Sequence, residues 1–189
     1  MDYKLIVQST PNPNALKFVL NVPVRNQGNV TYKSADECAH NPLAKHLFEI
    51  SPSVAEVYFF DNYITVTQDG NGDWDELETT IRKAILAGIA GHDPDFKVDA
   101  PKKQGPRPAA SSAEITRINA ILDETVRPAL QMDGGDIQVV DYGDNVLKVF
   151  YQGACGSCPS STMGTLMAVE NILKDQFNPN VKVEIADAF

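Results

Sequence analysis

The apolar and polar positions divide the chain into a strand-rich first half, a stretch with few large apolar side chains, and a second half mixing helix and strand periods. Leu5-Ile6-Val7 and the run Ala15 to Val24 read as two strands forming a hairpin. Thr10-Pro11-Asn12-Pro13-Asn14 between them reads as a turn, because each proline restricts the residue before it and asparagine tolerates turn conformations. Asn26-Gln27-Gly28-Asn29 predicts another turn, with a short strand at Val30 to Lys33. A helix is expected from Asn41-Pro42 through Leu43, Leu47 and Phe48 to Ser51-Pro52. Val54 to Phe60 and Tyr63 to Gln68 are β-rich runs separated by Asp61-Asn62, a two-residue hairpin signal. Trp74 to Ala90 has helical period, with Leu77, Ile81, Ile85, Leu86 and Ile89 on one face and Gly91 just past the end.

From His92 to about Ser112 the chain holds Pro94, Pro101, Gly105, Pro106 and Pro108, which predicts an exposed linker. Ser112 suits the cap of a helix whose apolar positions are Ile115, Ile118, Ile121, Leu122 and Val126, and Glu114 adds a favourable first-turn charge. Pro128 is expected to kink or end that helix, with Leu130 and Met132 continuing the buried face. Asp133-Gly134-Gly135-Asp136 turns the chain into a strand at Ile137 to Tyr142, and Gly143-Asp144-Asn145 turns it back into Val146 to Tyr151. Pro159 suits a first helical position, and Met163, Leu166, Met167, Val169, Ile172, Leu173 and Phe177 recur at helical spacing before a last strand at Val181 to Ile185. The expected fold class is α+β: two small α/β sandwich-like domains, residues 1–92 and 113–189, joined by a Pro-rich linker at 93–112. The second domain reads α-β-β-α-β and is small enough that a homodimer would relieve its thin core.

Composition narrows the function. The 189 residues are 43% hydrophobic and 22% charged, an ordinary globular balance, and no apolar run approaches the roughly 20 residues of a membrane span. A formal net charge of -9 opposes binding to nucleic acid, whose phosphates demand a basic surface. Met1 to Val7 enters a strand pattern at once, without a secretory apolar core or an Arg-rich presequence, so a cytoplasmic location is expected. Three cysteines, two of them at CxxC spacing and the third far away, do not make a disulfide framework.

The chemistry is concentrated in Gly153-Ala154-Cys155-Gly156-Ser157-Cys158-Pro159, where a strand ends and a helix begins. Cys158 falls at or beside the helix N-cap, where free N–H groups and the positive end of the dipole favour a thiolate. Three readings follow. A structural zinc site wants four ligands, but the other candidates, Cys38, His40, His46 and His92, all lie before or at the start of the linker. Dithiol exchange suits Cys-Gly-Ser-Cys-Pro locally, against a strand that reads as part of a hairpin and not of a βαβ unit. In the third, two chains contribute two thiolates each and hold an iron–sulfur cluster at their interface, an open site better suited to delivery than to electron transfer. Cys38 reads as a partly buried residue, Trp74 as core, and Asp133 and Asp136 as turn and cap residues, so no catalytic residue is expected. Met163 and Met167 read as packing residues that would also shield a cluster, and Gly153 and Gly156 as backbone room for a bulky cofactor.

Leu130 to Asp136 with its Asp-Gly-Gly-Asp, then Gly153 to Ser161 and Thr162 to Leu173, resembles the NifU-like C-terminal domain of Nfu iron–sulfur carrier proteins. Thr10 to Phe18, Pro42 to Lys45 and Tyr63 to Thr67 resemble the N-terminal domain of that family, so the likeness spans nearly the whole chain outside the linker. The resemblance implies a [4Fe-4S] cluster bridging two subunits, held by Cys155 and Cys158 of each. It also implies a homodimer on cluster binding, an upstream scaffold as donor, apo iron–sulfur proteins as acceptors, and no enzymatic turnover. A thioredoxin-like oxidoreductase and a zinc-bridged dimer are the alternatives.

Overall fold

The computed structural model describes residues 2–98, 112–156 and 159–186, with backbone alone at 112 and 159–163. They form two compact units, Met1–Asp99 and Ala100–Phe189, and the class is α+β as expected.

The first unit is built on a five-stranded antiparallel sheet of β1 (Leu5–Ser9), β2 (Ala15–Leu20), β3 (Arg25–Tyr32), β4 (Val54–Asp61) and β5 (Tyr63–Gln68), in the order β1-β2-β5-β4-β3. Helices α1 (Pro42–Ile50) and α2 (Trp74–Gly88) share its core. Helix α1 starts where Asn41 Oδ1 accepts the Ala44 N–H at 3.1 Å and Pro42 takes the position that has no N–H to satisfy. Asp73 caps α2 by accepting from Asp75 N at 2.9 Å. The buried face of α2 is Leu77, Ile81, Ala84 and Ile85, at the spacing of one helical stripe. Phe18, Phe59 and Ile64 meet in register across β2, β5 and β4 beneath Leu47 of α1, all fully buried and each contributing about 1.5–3 kcal/mol of burial. The hairpin at Asp61-Asn62 forms as expected, with Asp61 at φ 45° and Phe60 opposite Tyr63.

Three features of this unit differ from expectation. Asn26 to Asn29 do not end a strand: β3 runs through them, with a register shift between Arg25 and Asn29 that takes up the extra residues as a bulge on an edge strand. Trp74 is only partly buried, and its indole N–H donates to the Pro13 carbonyl at 3.0 Å, tying the β1–β2 turn to the start of α2. The stretch read as exposed linker from His92 is docked on the sheet as far as Phe96. There the His92 Nε2–H donates to the Val24 carbonyl at 2.7 Å, and its ring stacks on Phe59. Asn26 N donates to the Pro94 carbonyl at 3.1 Å, and the Arg25 guanidinium covers the buried Phe96 ring and bonds the Phe96 carbonyl. The remaining linker residues, 99–111, lie outside the described ones.

The second unit runs α3 (Ser112–Thr125), α4 (Arg127–Met132), β6 (Gly135–Gly143), β7 (Val146–Gly153), α5 (Pro159–Gln176) and β8 (Lys182–Ile185). The helix breaks next to Pro128 as expected, and the chain re-enters a helix at once, so two helices stand before β6 where the α-β-β-α-β reading counted one. The sheet order is β6-β7-β8, with β6–β7 antiparallel and β7–β8 parallel. Strand β7 therefore belongs both to a hairpin and to a βαβ unit through α5, so the contrast drawn between the two from sequence does not hold. Ile118, Leu122, Leu147, Val149, Val169 and Leu173 fill the core at full burial. Glu170 on α5 accepts from Val183 N at 3.0 Å and pairs with Lys174, fastening the helix to β8. Met132 and Met167, expected on buried faces, are 77% and 65% exposed.

Replacing Phe96 by Ala is expected to lower the stability of the first unit by about 3 kcal/mol, read from urea unfolding followed by fluorescence of Trp74, the sole tryptophan. An unchanged midpoint would mean that the docked segment carries no stability. Burial holds the His92 pKa below its ordinary value, so the unfolded chain takes up a proton first. Stability contributed by neutral His92 is present above the ordinary histidine pKa of about 6.5 and falls as pH drops from there through the folded value. The same unfolding signal in His92→Gln should lose that acid slope.

Candidate functional site

Two turns of the second unit meet edge to edge. One leaves α4 through Asp133 and Gly134, and the other leaves β7 through Gly153 and Ala154. Gly135 and Gly153 face each other in the β6–β7 register, and Ala154 N donates to the Gly134 carbonyl at 3.2 Å. Gly153 has φ 62°, a left-handed conformation that side-chain-bearing residues adopt only with strain, and this bends the strand end so that Gly156 N closes on the Gly153 carbonyl at 3.0 Å.

That bend carries the Cys155 side chain inward. Cys155 is 3% exposed and belongs to the apolar cluster with Tyr151, Ile137 and Val169. Its sulfur lies against Gly135: a Cβ at that position would sit 2.6 Å from Cys155 Sγ and 2.6 Å from the Gln152 carbonyl oxygen. The Asp-Gly-Gly-Asp motif is thus more than a turn, since its second glycine is the surface on which the thiol rests. Cys158, the other expected ligand, and Ser157 lie outside the described residues, as does the side chain of Met163.

Arg127 anchors this corner and was not singled out from sequence. From the first turn of α4 its Nε donates to the Ile137 carbonyl at 3.2 Å and lies 3.4 Å from Asp136 Oδ1. Its Nη2 donates to Asn119 Oδ1 at 2.7 Å, and its Nη1 pairs with Asp123 on α3. Asp136, read from sequence as a turn or cap residue, is instead a buried carboxylate paired with this guanidinium. The only signal for the pair was the placement of an arginine beside a helix-breaking proline and of an acid between apolar strand residues.

Cys38 is fully buried, more so than expected, and its thiol donates to the Ser34 carbonyl at 3.3 Å. Burial pushes its pKa up to about 12, so it is a neutral thiol and a poor ligand at physiological pH. The three histidines, scattered in sequence, line one cleft of about 440 Å³ in the first unit together with Asp93, Leu43 and Phe96. His40 is engaged there by the Tyr32 hydroxyl at 2.8 Å and His92 by Val24. Among the described residues no three His, Cys, Asp or Glu side chains come close enough to hold a metal ion.

Two family models match the chain: "Scaffold protein Nfu/NifU N terminal" over residues 5–91 and "NifU-like domain" over residues 118–184. Similar proteins include "NFU1 iron-sulfur cluster scaffold homolog, mitochondrial" of Drosophila grimshawi, 34% identical over 88% of this chain and 56% of that protein. The human protein of the same name is 33% identical over 88% of this chain and 65% of its own length. "NifU-like protein 4, mitochondrial" of Arabidopsis thaliana is 33% identical over 88% and 60%. The chain thus spans less than two thirds of the length of these relatives. Among solved structures, a NifU-like protein from Saccharomyces cerevisiae aligns with 47% of this chain and 79% of its own, at 26% identity and a TM-score of 0.43.

Gly135→Ala is expected to push the Cys155 sulfur off its seat, because the backbone carbonyl on the other side cannot move away. Alkylation of Cys155, followed by peptide mass spectrometry under native conditions, should become several-fold faster than in the parent protein. An unchanged rate would show that the thiol does not depend on the glycine.

Proposed function

We propose that this chain, which belongs to the Nfu/NifU family of scaffold proteins, receives an iron–sulfur cluster, holds it on Cys155 and Cys158, and passes it to apo-proteins. The observation that carries the proposal is the seating of a cysteine sulfur on a glycine floor, in a chain whose relatives are named iron–sulfur cluster scaffolds. The residues fit such a cargo: a soft sulfur donor, a turn held open by two glycines, and a buried hydroxyl, that of Tyr151, with no hydrogen-bond partner.

In this reading the cargo is a [4Fe-4S] cluster shared by two copies, each giving one CxxC pair, so that four thiolates complete the coordination and the dimer forms on loading. The two units are tethered by the linker at 93–112, of which Phe96 and its neighbours stay with the first unit. Transfer proceeds by ligand exchange: each incoming acceptor thiolate forms an iron–sulfur bond as Cys155 or Cys158 leaves. The chain's part is to keep the Cys155 sulfur apart from solvent until it is needed, with no turnover of its own. The first unit docks the acceptors or the upstream donor scaffold. A cytoplasmic setting belongs to this reading, whereas the relatives' names are those of mitochondrial proteins.

A second reading, dithiol exchange, draws on the position of the thiol loop between β7 and α5 of a βαβ unit. It expects turnover with insulin or glutathione in the absence of iron.

Cys155→Ala and Cys158→Ala are each expected to abolish iron and sulfide binding after anaerobic reconstitution, while Cys38→Ser keeps the full complement. Full iron occupancy in either of the first two variants would remove them as ligands. Deleting residues 1–98 should leave loading intact and slow transfer to an apo-acceptor several-fold, measured by recovery of acceptor activity. Unchanged transfer would take the docking role from the first unit.

A further inference from the structure

Side chains alternate along β7, so Tyr151 and Gly153 share one face of the strand and Gln152 takes the other. The register places Tyr151 opposite Ile137 and Gly153 opposite Gly135. Tyr151 is therefore the diagonal neighbour of Gly135, on whose face the Cys155 sulfur rests, a separation within reach of an aromatic side chain. Tyr151 is 4% exposed, belongs to the same apolar cluster as Cys155, and its hydroxyl has no hydrogen-bond partner. A phenol is an O–H donor at physiological pH. A buried donor left unmatched is unfavourable, and among the described residues the Cys155 sulfur, next to it in the apolar cluster, becomes a strong acceptor when it loses its proton. Gln152 does not compete, because its orphan atom is an acceptor, Oε1, which a thiolate cannot satisfy.

We propose that the Tyr151 hydroxyl donates a hydrogen bond to the Cys155 sulfur once iron binding has made it a thiolate, and so sets how tightly this ligand holds the cluster. This rests on the reading of Cys155 as a cluster ligand. The phenol keeps its proton, and the only bond formed is O–H···S. Tyr151 is a positioning residue, acting on the cargo through Cys155. A carrier must release what it holds, and a hydrogen bond made to the iron-bound thiolate but not to the protonated thiol of the unloaded chain slows that release without adding a ligand.

The test uses the full chain, reconstituted anaerobically with iron and sulfide, as parent protein and as Tyr151→Phe. Both are expected to load equal iron and sulfide. In the parent, the Fe–S(Cys) stretching bands in resonance Raman spectra should shift between H2O and D2O, and the variant should lose the Tyr151 part of that shift. Iron release to a ferrous chelator should quicken by about tenfold in Tyr151→Phe, the size of one charge-assisted hydrogen bond. Incorporation of 3-fluorotyrosine at 151, which keeps the ring and strengthens the donor, should slow release instead. Equal loading with unchanged solvent-isotope shifts and unchanged release in these proteins would overturn the inference while leaving the carrier reading intact. A parent protein that takes up no iron would overturn both, and a Tyr151→Phe chain that does not fold leaves the fluorotyrosine result to decide.

Discussion

The contact between the Cys155 sulfur and the Cα of Gly135 is the constraint around which the second unit is arranged. A sulfur can sit that close to backbone only where no Cβ intervenes, which requires glycine at 135 and fixes which residue of β7 lies opposite it. The left-handed turn at Gly153 follows, since the chain must reverse within two residues to bring residue 155 back over the sheet. Arg127 then secures the other side, bonding the Asp136 carboxylate and the Ile137 carbonyl at the start of β6 while reaching Asn119 and Asp123 on α3. Removing one member of a buried ion pair leaves the other charged and unmatched, so this clamp holds the start of β6 against α3 and α4.

The first unit has no comparable cysteine chemistry. Its single thiol is sealed in the core and its histidines are engaged by Tyr32 and Val24 or exposed on α1. What it does have is a final segment folded back onto its own sheet. Stacking of His92 on Phe59 and of Arg25 on Phe96 fixes where the tether to the second unit begins, and the cleft lined by the three histidines lies against that segment.

Local chemistry was the legible part of the sequence. The helix start at Asn41-Pro42, the Asp61-Asn62 hairpin, the α2 stripe and the helix start at Pro159 each depend on a few adjacent residues, and the structure has them where the pattern puts them. Contacts between distant residues were not legible. Phe96 looks like one aromatic in a proline-rich stretch until Arg25, over 70 positions away, covers it. The turn signal at Asn26 to Asn29 was overridden because β4 pairs with Arg25 before these residues and with Asn29 to Tyr32 after the shift, so the chain bulges between the two pairings without ending the strand. At the candidate site, Cys155 was identified by spacing, but its burial and its seat on Gly135 were not. Nor was the pairing of Asp136 with Arg127, because sequence gives a glycine's freedom to turn and not what will press against it.

The central claim is that the thiol loop holds an iron–sulfur cluster between two copies of the chain. The direct measurement is native mass spectrometry of anaerobically reconstituted protein, with iron and acid-labile sulfide assayed on the same sample. The account predicts a dimer carrying about four iron and four sulfide, with broad absorbance near 400 nm. A colourless monomer, or a dimer holding zinc and no sulfide, would contradict it.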